Sequence, residues 1–138
     1  MWVNQMQKRK GFSPRVREEV FRKYDGHCAY CGKVLTTDGF QIDHLIPVAR
    51  ERFGQYTSEE LETFKNYMPA CRRCNHYKRA HSLETFRRYI EEIPEKLHDN
   101  YIYKVGLDYG LVEEHPHKVI FYFEEIEAER ESFSRGLN

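Results

Sequence analysis

What this 138-residue chain lacks already excludes several classes of protein. No apolar run approaches the roughly 20 residues that a membrane-spanning helix needs. The first residues, MWVNQMQKRKGF, are basic but have none of the apolar core that a signal peptide carries. A cytoplasmic protein without a membrane partner is therefore expected. Internal repeats, low-complexity tracts and an obvious interdomain linker are all missing, so one domain with a modest core is expected. Net charge is zero as well, which argues against loose, purely electrostatic binding of nucleic acid. What is present, 32% charged and 14% aromatic residues, is not a disordered composition.

The zero conceals a split. Residues 1–90 carry 17 Lys+Arg against 10 Asp+Glu, and residues 91–138 carry 5 against 12. The first two-thirds is thus suited to face a polyanion, although two solvated surfaces of opposite sign would look the same. Residues 1–12 read as a basic arm, in which Lys8, Arg9 and Lys10 would follow a phosphate backbone. Ser13-Pro14 reads as a helix start, and Asp25-Gly26 as its stop after Val16, Val20, Phe21 and Tyr24. Two strands around Val34–Thr36 and Phe40–Ile46 are expected to form a hairpin across Asp38-Gly39. Thr57-Ser58-Glu59-Glu60 has a capping-box pattern, opening a short helix. A helix is expected from the second cysteine pair through Leu83, Phe86, Ile90 and Ile93 to Pro94. Another should run over Tyr101–Tyr109 to Gly110. Val119–Phe123 reads as a core strand, and EEIEAERESF as an acidic helix.

All four cysteines lie in two Cys-x-x-Cys pairs, Cys28/Cys31 and Cys71/Cys74. A two-residue spacing lets one tight turn present both sulfurs to a tetrahedral ion, and two such turns complete a four-sulfur zinc site. Disulfides do not suit a cytoplasmic chain, and a redox pair leaves the second pair unexplained. His27 and His76 are neighbouring alternatives that a full sulfur set makes unnecessary. Such a closed zinc has no open position, so it is structural. It would staple a 39-residue insertion between Cys31 and Cys71.

Inside that insertion the stretch FQIDHLIPVAR sets Asp43 beside His44 among apolar residues. An ionised carboxylate there needs a partner or a metal. The zinc would bring this strand against the helix that starts at the second pair, which offers Asn75, His76 and Lys78. Asp43 and Asn75 are hard oxygen ligands for a magnesium-like ion. His44, when neutral, can take a proton from an attacking water. Ion and imidazole together suit hydrolysis of a phosphodiester. His76 and His81 remain alternatives to Asn75 at that ion. Adjacent strand residues point to opposite faces, so irregular backbone is expected at Asp43-His44, with the strand closing at Pro47.

The order Cys-x-x-Cys-Gly, Ile-Asp-His-Leu-Ile-Pro, Asn66 before Met68-Pro69-Ala70, then Cys-x-x-Cys-Asn-x-x-Lys, resembles the HNH endonucleases over residues 28 to about 90. The resemblance implies an α+β fold, a ββα-metal (His-Me finger) core stapled by a four-cysteine zinc. Helices and a C-terminal strand would flank it. The chain then divides into the arm 1–12, a nuclease core 13–90 and an acidic extension 91–138 packed on the core. His44 is implied as general base, Asp43 and Asn75 as ligands of a catalytic Mg2+ (Mn2+ or another divalent ion as substitutes), and Asn66 as the residue orienting the hairpin and base. Products would carry 5′-phosphate and 3′-hydroxyl ends. The substrate implied is DNA, with RNA open.

Arg72, Arg73, Lys78 and Arg79 flank this constellation and would meet phosphates, which position a duplex without specifying its sequence. Arg15, Arg17, Arg22 and Lys23 read as ordinary surface charge. An inactive zinc-stapled nucleic-acid-binding module, or a protein-interaction domain using the acidic tail, are the competing readings. The joint presence of Asp43, His44, Asn66 and Asn75 favours the enzyme.

Overall fold

The computed structural model describes residues 11–48 and 54–136. Residues 1–10 of the basic arm, with Lys8, Arg9 and Lys10, lie outside the described residues. Helix α1 spans Pro14–Arg22, with the Ser13 hydroxyl accepting from Val16 N and proline in the first turn. It ends where Asp25 and Gly26 take positive φ. Strand β1, Gln41–His44, pairs antiparallel with β2, Tyr67–Ala70. Between them come α2 (Ser58–Leu61), whose Thr57 side chain accepts from Glu60 N, and the 3₁₀ turn Phe64–Asn66. Helix α3 (Arg72–Lys78) follows β2 directly, with Cys71 as its N-cap. The remaining helices are α4 (Leu83–Glu91), α5 (Ile93–Leu97), α6 (Tyr101–Asp108) and α7 (Tyr122–Gly136).

This β1–β2–α3 unit is a ββα arrangement, but its first strand has a different partner from the one expected. Residues 33–35 do not pair with β1. They close the first cysteine knuckle instead, through Cys28 N to Lys33 O at 2.8 Å and Leu35 N to Gly26 O at 2.7 Å. The Asp38-Gly39 turn only redirects the chain, so β1 waits for β2, which begins after 22 intervening residues. Two side chains that read as surface charge fasten this sheet. Arg17 donates to Phe40 O at 3.1 Å and lies over the Phe40 ring. Lys23 donates to Phe64 O, Lys65 O and Tyr67 O at 2.8–3.2 Å, satisfying carbonyls at the end of the 3₁₀ turn.

The C-terminal strand is also corrected. Val119–Phe121 is irregular and Tyr122 opens α7. Its backbone partners are loop carbonyls of the first knuckle: Tyr122 N donates to Tyr30 O at 3.1 Å and Phe123 N to Ala29 O at 2.8 Å. A strand needs an extended neighbour, and none lies there. The segment is nonetheless core. Phe86 stacks on Phe121 at 5.2 Å, Phe121 on Phe123 at 6.3 Å, and Tyr30 stands edge-on to all three. Pro94 likewise begins α5 rather than ending a long helix, since proline fits a first turn. The helix expected from the second knuckle is two helices, broken at 79–82, where Ser82 caps α4.

Candidate active site

The two knuckles come together. All four cysteine sulfurs lie within 4.8 Å of one another, and Cys31 and Cys71 are 3.9 Å apart. Zinc–sulfur bonds of about 2.3 Å at tetrahedral angles place sulfurs about 3.8 Å apart, so the donor set and its spacing fit zinc. Cys28 is fully buried, and the hydrogen bond it accepts from Cys74 draws its thiol down to about 4. Cys74 is pushed up by donating that bond, and Cys31 first by burial. All four sulfurs have to be thiolates to hold such an ion, so binding it releases protons. Gly32 (φ 76°) makes the knuckle turn, and a Cβ there would meet the Tyr122 ring at 3.0 Å.

Each knuckle sends one side chain to Asp43. Tyr30, between Cys28 and Cys31, donates its hydroxyl to Asp43 Oδ2 at 2.5 Å. Burial, then the Asp43 charge, hold that phenol well above its ordinary value, so it stays a donor. From α3, Lys78 Nζ reaches the same Oδ2 at 3.0 Å and the His44 carbonyl at 3.0 Å. One turn earlier on α3, Asn75 donates to Gln41 Oε1 at 2.6 Å. Gln41 and Asp43 share a strand face, as Asn75 and Lys78 share a helix face, so the two periodicities meet in register. Among the described residues, the other oxygen of Asp43 and the side-chain oxygen of Asn75 make no hydrogen bond, leaving both as hard donors.

His44 leaves the opposite side of β1. Its Nε2 lies 3.0 Å from Glu62 Oε1, Tyr67 donates to Glu62 Oε2 at 2.9 Å, and the Phe12 and Tyr67 rings flank the imidazole. Just beyond, buried Asn66 braces the chain. Its Oδ1 accepts from Ile46 N at 2.8 Å, its Nδ2 donates to Ile46 O and Leu61 O at 3.0 Å, and its carbonyl accepts from Leu45 N at 2.9 Å. Every polar atom of that side chain is engaged.

Comparison with protein families matches residues 28–91 to the HNH endonucleases. This segment is an HNH endonuclease domain. The Type II-C Cas9 enzyme from Actinomyces naeslundii is a similar solved structure, at 24% identity and a TM-score of 0.44, over 57% of this chain and 8% of that one. A likeness of that extent says nothing of function. No curated protein matches the chain.

Two expectations for the HNH site are corrected. Asp43 and His44 are both regular ladder residues, paired with Met68 and Tyr67, so the backbone is not irregular there. It becomes so at Leu45, immediately after the imidazole, where Asn66 holds it. Lys78 cannot be a phosphate contact, because its side chain is 0% exposed and committed to Asp43. Arg72, Arg73 and Arg79 are exposed and have no ion pair among the described residues. Glu62, Tyr67, Tyr30 and Gln41 belong to the site and were not expected. For Tyr30 its place between two cysteines was a usable signal, whereas nothing local marks Glu62 as the neighbour of a histidine 18 residues earlier. No helix among the described residues is long and apolar enough to cross a membrane.

Proposed function

We propose that this HNH domain is a metal-dependent endonuclease that hydrolyses DNA phosphodiester bonds, with His44 as general base and a four-cysteine zinc as a structural staple. The observation that supports it best is the anchoring of one strand end. Asp43 is held by both knuckles, His44 is oriented by Glu62, and the backbone after His44 is clamped by Asn66. Glu62 accepts from Nε2–H and so leaves Nδ1 as the basic nitrogen of a neutral ring, the form that can take a proton from water. The carboxylate stabilises the cationic ring that forms. Asp43 and Asn75 would hold Mg2+, or Mn2+ in its place, through their remaining oxygens. When bound, such an ion supplies positive charge to the phosphate and the leaving oxygen. Lys78 fixes the Asp43 carboxylate and the His44 carbonyl together, so base and ligand cannot drift apart. Arg72, Arg73 and Arg79 contribute the sequence-independent attraction of a duplex backbone. Reduced cysteines kept for metal suit the cytoplasm.

A second reading has a specific observation behind it. Asp43 already has an ammonium and a phenol on one oxygen, and its side chain leaves the strand face opposite His44, as would suit a zinc-stapled nucleic-acid-binding module without catalysis. Plasmid nicking with zinc-loaded protein in Mg2+ or Mn2+ separates the two. The endonuclease reading expects cleavage that excess chelator stops and that His44→Ala lowers by about 10²–10⁴-fold while duplex binding persists. Binding without cleavage across metals and pH would leave the module.

A further inference from the structure

The turn that closes α3 puts an arginine where the backbone favours glycine. Arg79 has φ 51° and ψ −136°, and His81 N donates to Lys78 O at 3.1 Å, closing a tight turn over Arg79 and Ala80. The first central position of such a turn carries positive φ, which suits glycine because a Cβ crowds the backbone there. The other described non-glycine residue with positive φ is Asp25, a residue type that tolerates it better. Packing does not explain the choice of Arg79. Its side chain is exposed and without hydrogen bond or ion pair among the described residues. Strained residues kept without a packing reason cluster at functional places.

Arg79 lines a cleft of about 240 Å³ with His76, Tyr77, His81 and Tyr89. No carboxylate is among these residues. His81 is steadied edge-on against Tyr89, with ring centroids 5.0 Å apart. On α3, Arg72 and His76 are spaced i, i+4 on one face, and Arg79 follows at the end of the same helix as its C-cap. His76 directly follows Asn75, the residue that bonds Gln41 of β1, so the cleft lies one residue along the helix from that contact. A concave group of nitrogen donors around an uncommitted guanidinium matches the oxygens of a phosphodiester.

We propose that His76, Arg79 and His81 form a subsite for a backbone phosphate of the nucleic acid, beside the scissile one rather than at it. This rests on the nuclease reading above and adds the element that fixes the strand relative to β1.

The test exploits a conflict between stability and binding. Arg79→Gly and Arg79→Lys are made in the full zinc-loaded chain, each with and without His44→Ala, and compared by thermal melting, duplex binding across a salt series, and nicking. Arg79→Gly is expected to raise Tm by a few degrees, because it relieves the turn. It should weaken duplex binding about tenfold, with a salt slope shallower by about 0.9. Arg79→Lys should melt like the unchanged protein and retain most of the affinity. Binding and salt slope unchanged in Arg79→Gly would overturn the subsite while leaving the nuclease reading intact, provided the unchanged protein still nicks. A lower Tm for Arg79→Gly would make Arg79 a structural residue and overturn it too. A parent chain that neither binds nor nicks would remove the nuclease reading, and the subsite with it.

Discussion

At Asp43 a single carboxylate oxygen receives a phenol from one cysteine knuckle and an ammonium from the helix of the other. A buried lysine–aspartate pair adds little net stability over an apolar substitute, but removing one partner strands the other charge. Lys78→Met is therefore expected to destabilise the domain by about 3–5 kcal/mol, measured by denaturant melting of zinc-loaded protein. Loss below about 1 kcal/mol, the range of a surface ion pair, would mean that Lys78 is not buried as described. Lys78 also marks the limit of reading residues singly. Its spacing of three from Asn75 placed it on the same helical face, but charge alone suggested solvent. Only the arrival of β1 on that face makes it internal. Asp43 and His44 stood out because an acid and an imidazole are costly among apolar neighbours, and Asn66 only through the motif order.

At the level of elements, local signals located the starts and stops and missed the partners. Ser13-Pro14, Thr57 and Gly110 act where their chemistry said, because capping and positive φ are decided within four residues. The pairing of β1 with β2, by contrast, depends on a 22-residue excursion closed by Asn66, which no short window contains. The junction of α4 with α7 is equally non-local. Arg87 bonds Glu124 through two parallel contacts of 2.8 Å, and Glu124 also accepts from Phe121 N. The hydrogen bonds from Arg87 hold the Glu124 carboxyl below its ordinary 4.5. A depressed carboxylate contributes stability above its unfolded value and loses it as pH falls through the folded one. Stability should accordingly decline from about pH 4.5 downward, with a shallower decline in Glu124→Gln, read as Tm against pH. Identical slopes in the two proteins would show that this junction contributes nothing.

Across the whole molecule, the four-cysteine cluster and the C-terminal extension share one core. Phe121 and Phe123 lie outside the HNH-matched segment yet pack on Tyr30 and Phe86 within it. The acidic extension is thus part of the fold's interior at Phe121 and Phe123, while most of α7 is exposed. Because Tyr30 sits inside the first knuckle, losing the ion should release that core and the Asp43 anchor together. Cys71→Ser is expected to abolish cooperative melting, since metal binding and folding are coupled in such sites. A zinc-free variant that melts cooperatively near the parent Tm would contradict this. The four-cysteine cluster was the most legible feature of the sequence, because its ligands come as two local pairs whose chemistry admits few alternatives. The closed Lys78–Asp43–Tyr30 arrangement was the least, because it exists only after those pairs have been drawn together.

The central claim is hydrolysis by His44 at the end of β1. Its most direct test is cleavage of a defined duplex in Mg2+ and Mn2+ with both product ends mapped, comparing the zinc-loaded parent with His44→Ala. The account predicts 5′-phosphate and 3′-hydroxyl ends from the parent, and a loss of about 10²–10⁴-fold in His44→Ala at unchanged duplex affinity. Cleavage by His44→Ala at the parent rate, or none by a folded parent that binds the duplex, would contradict it.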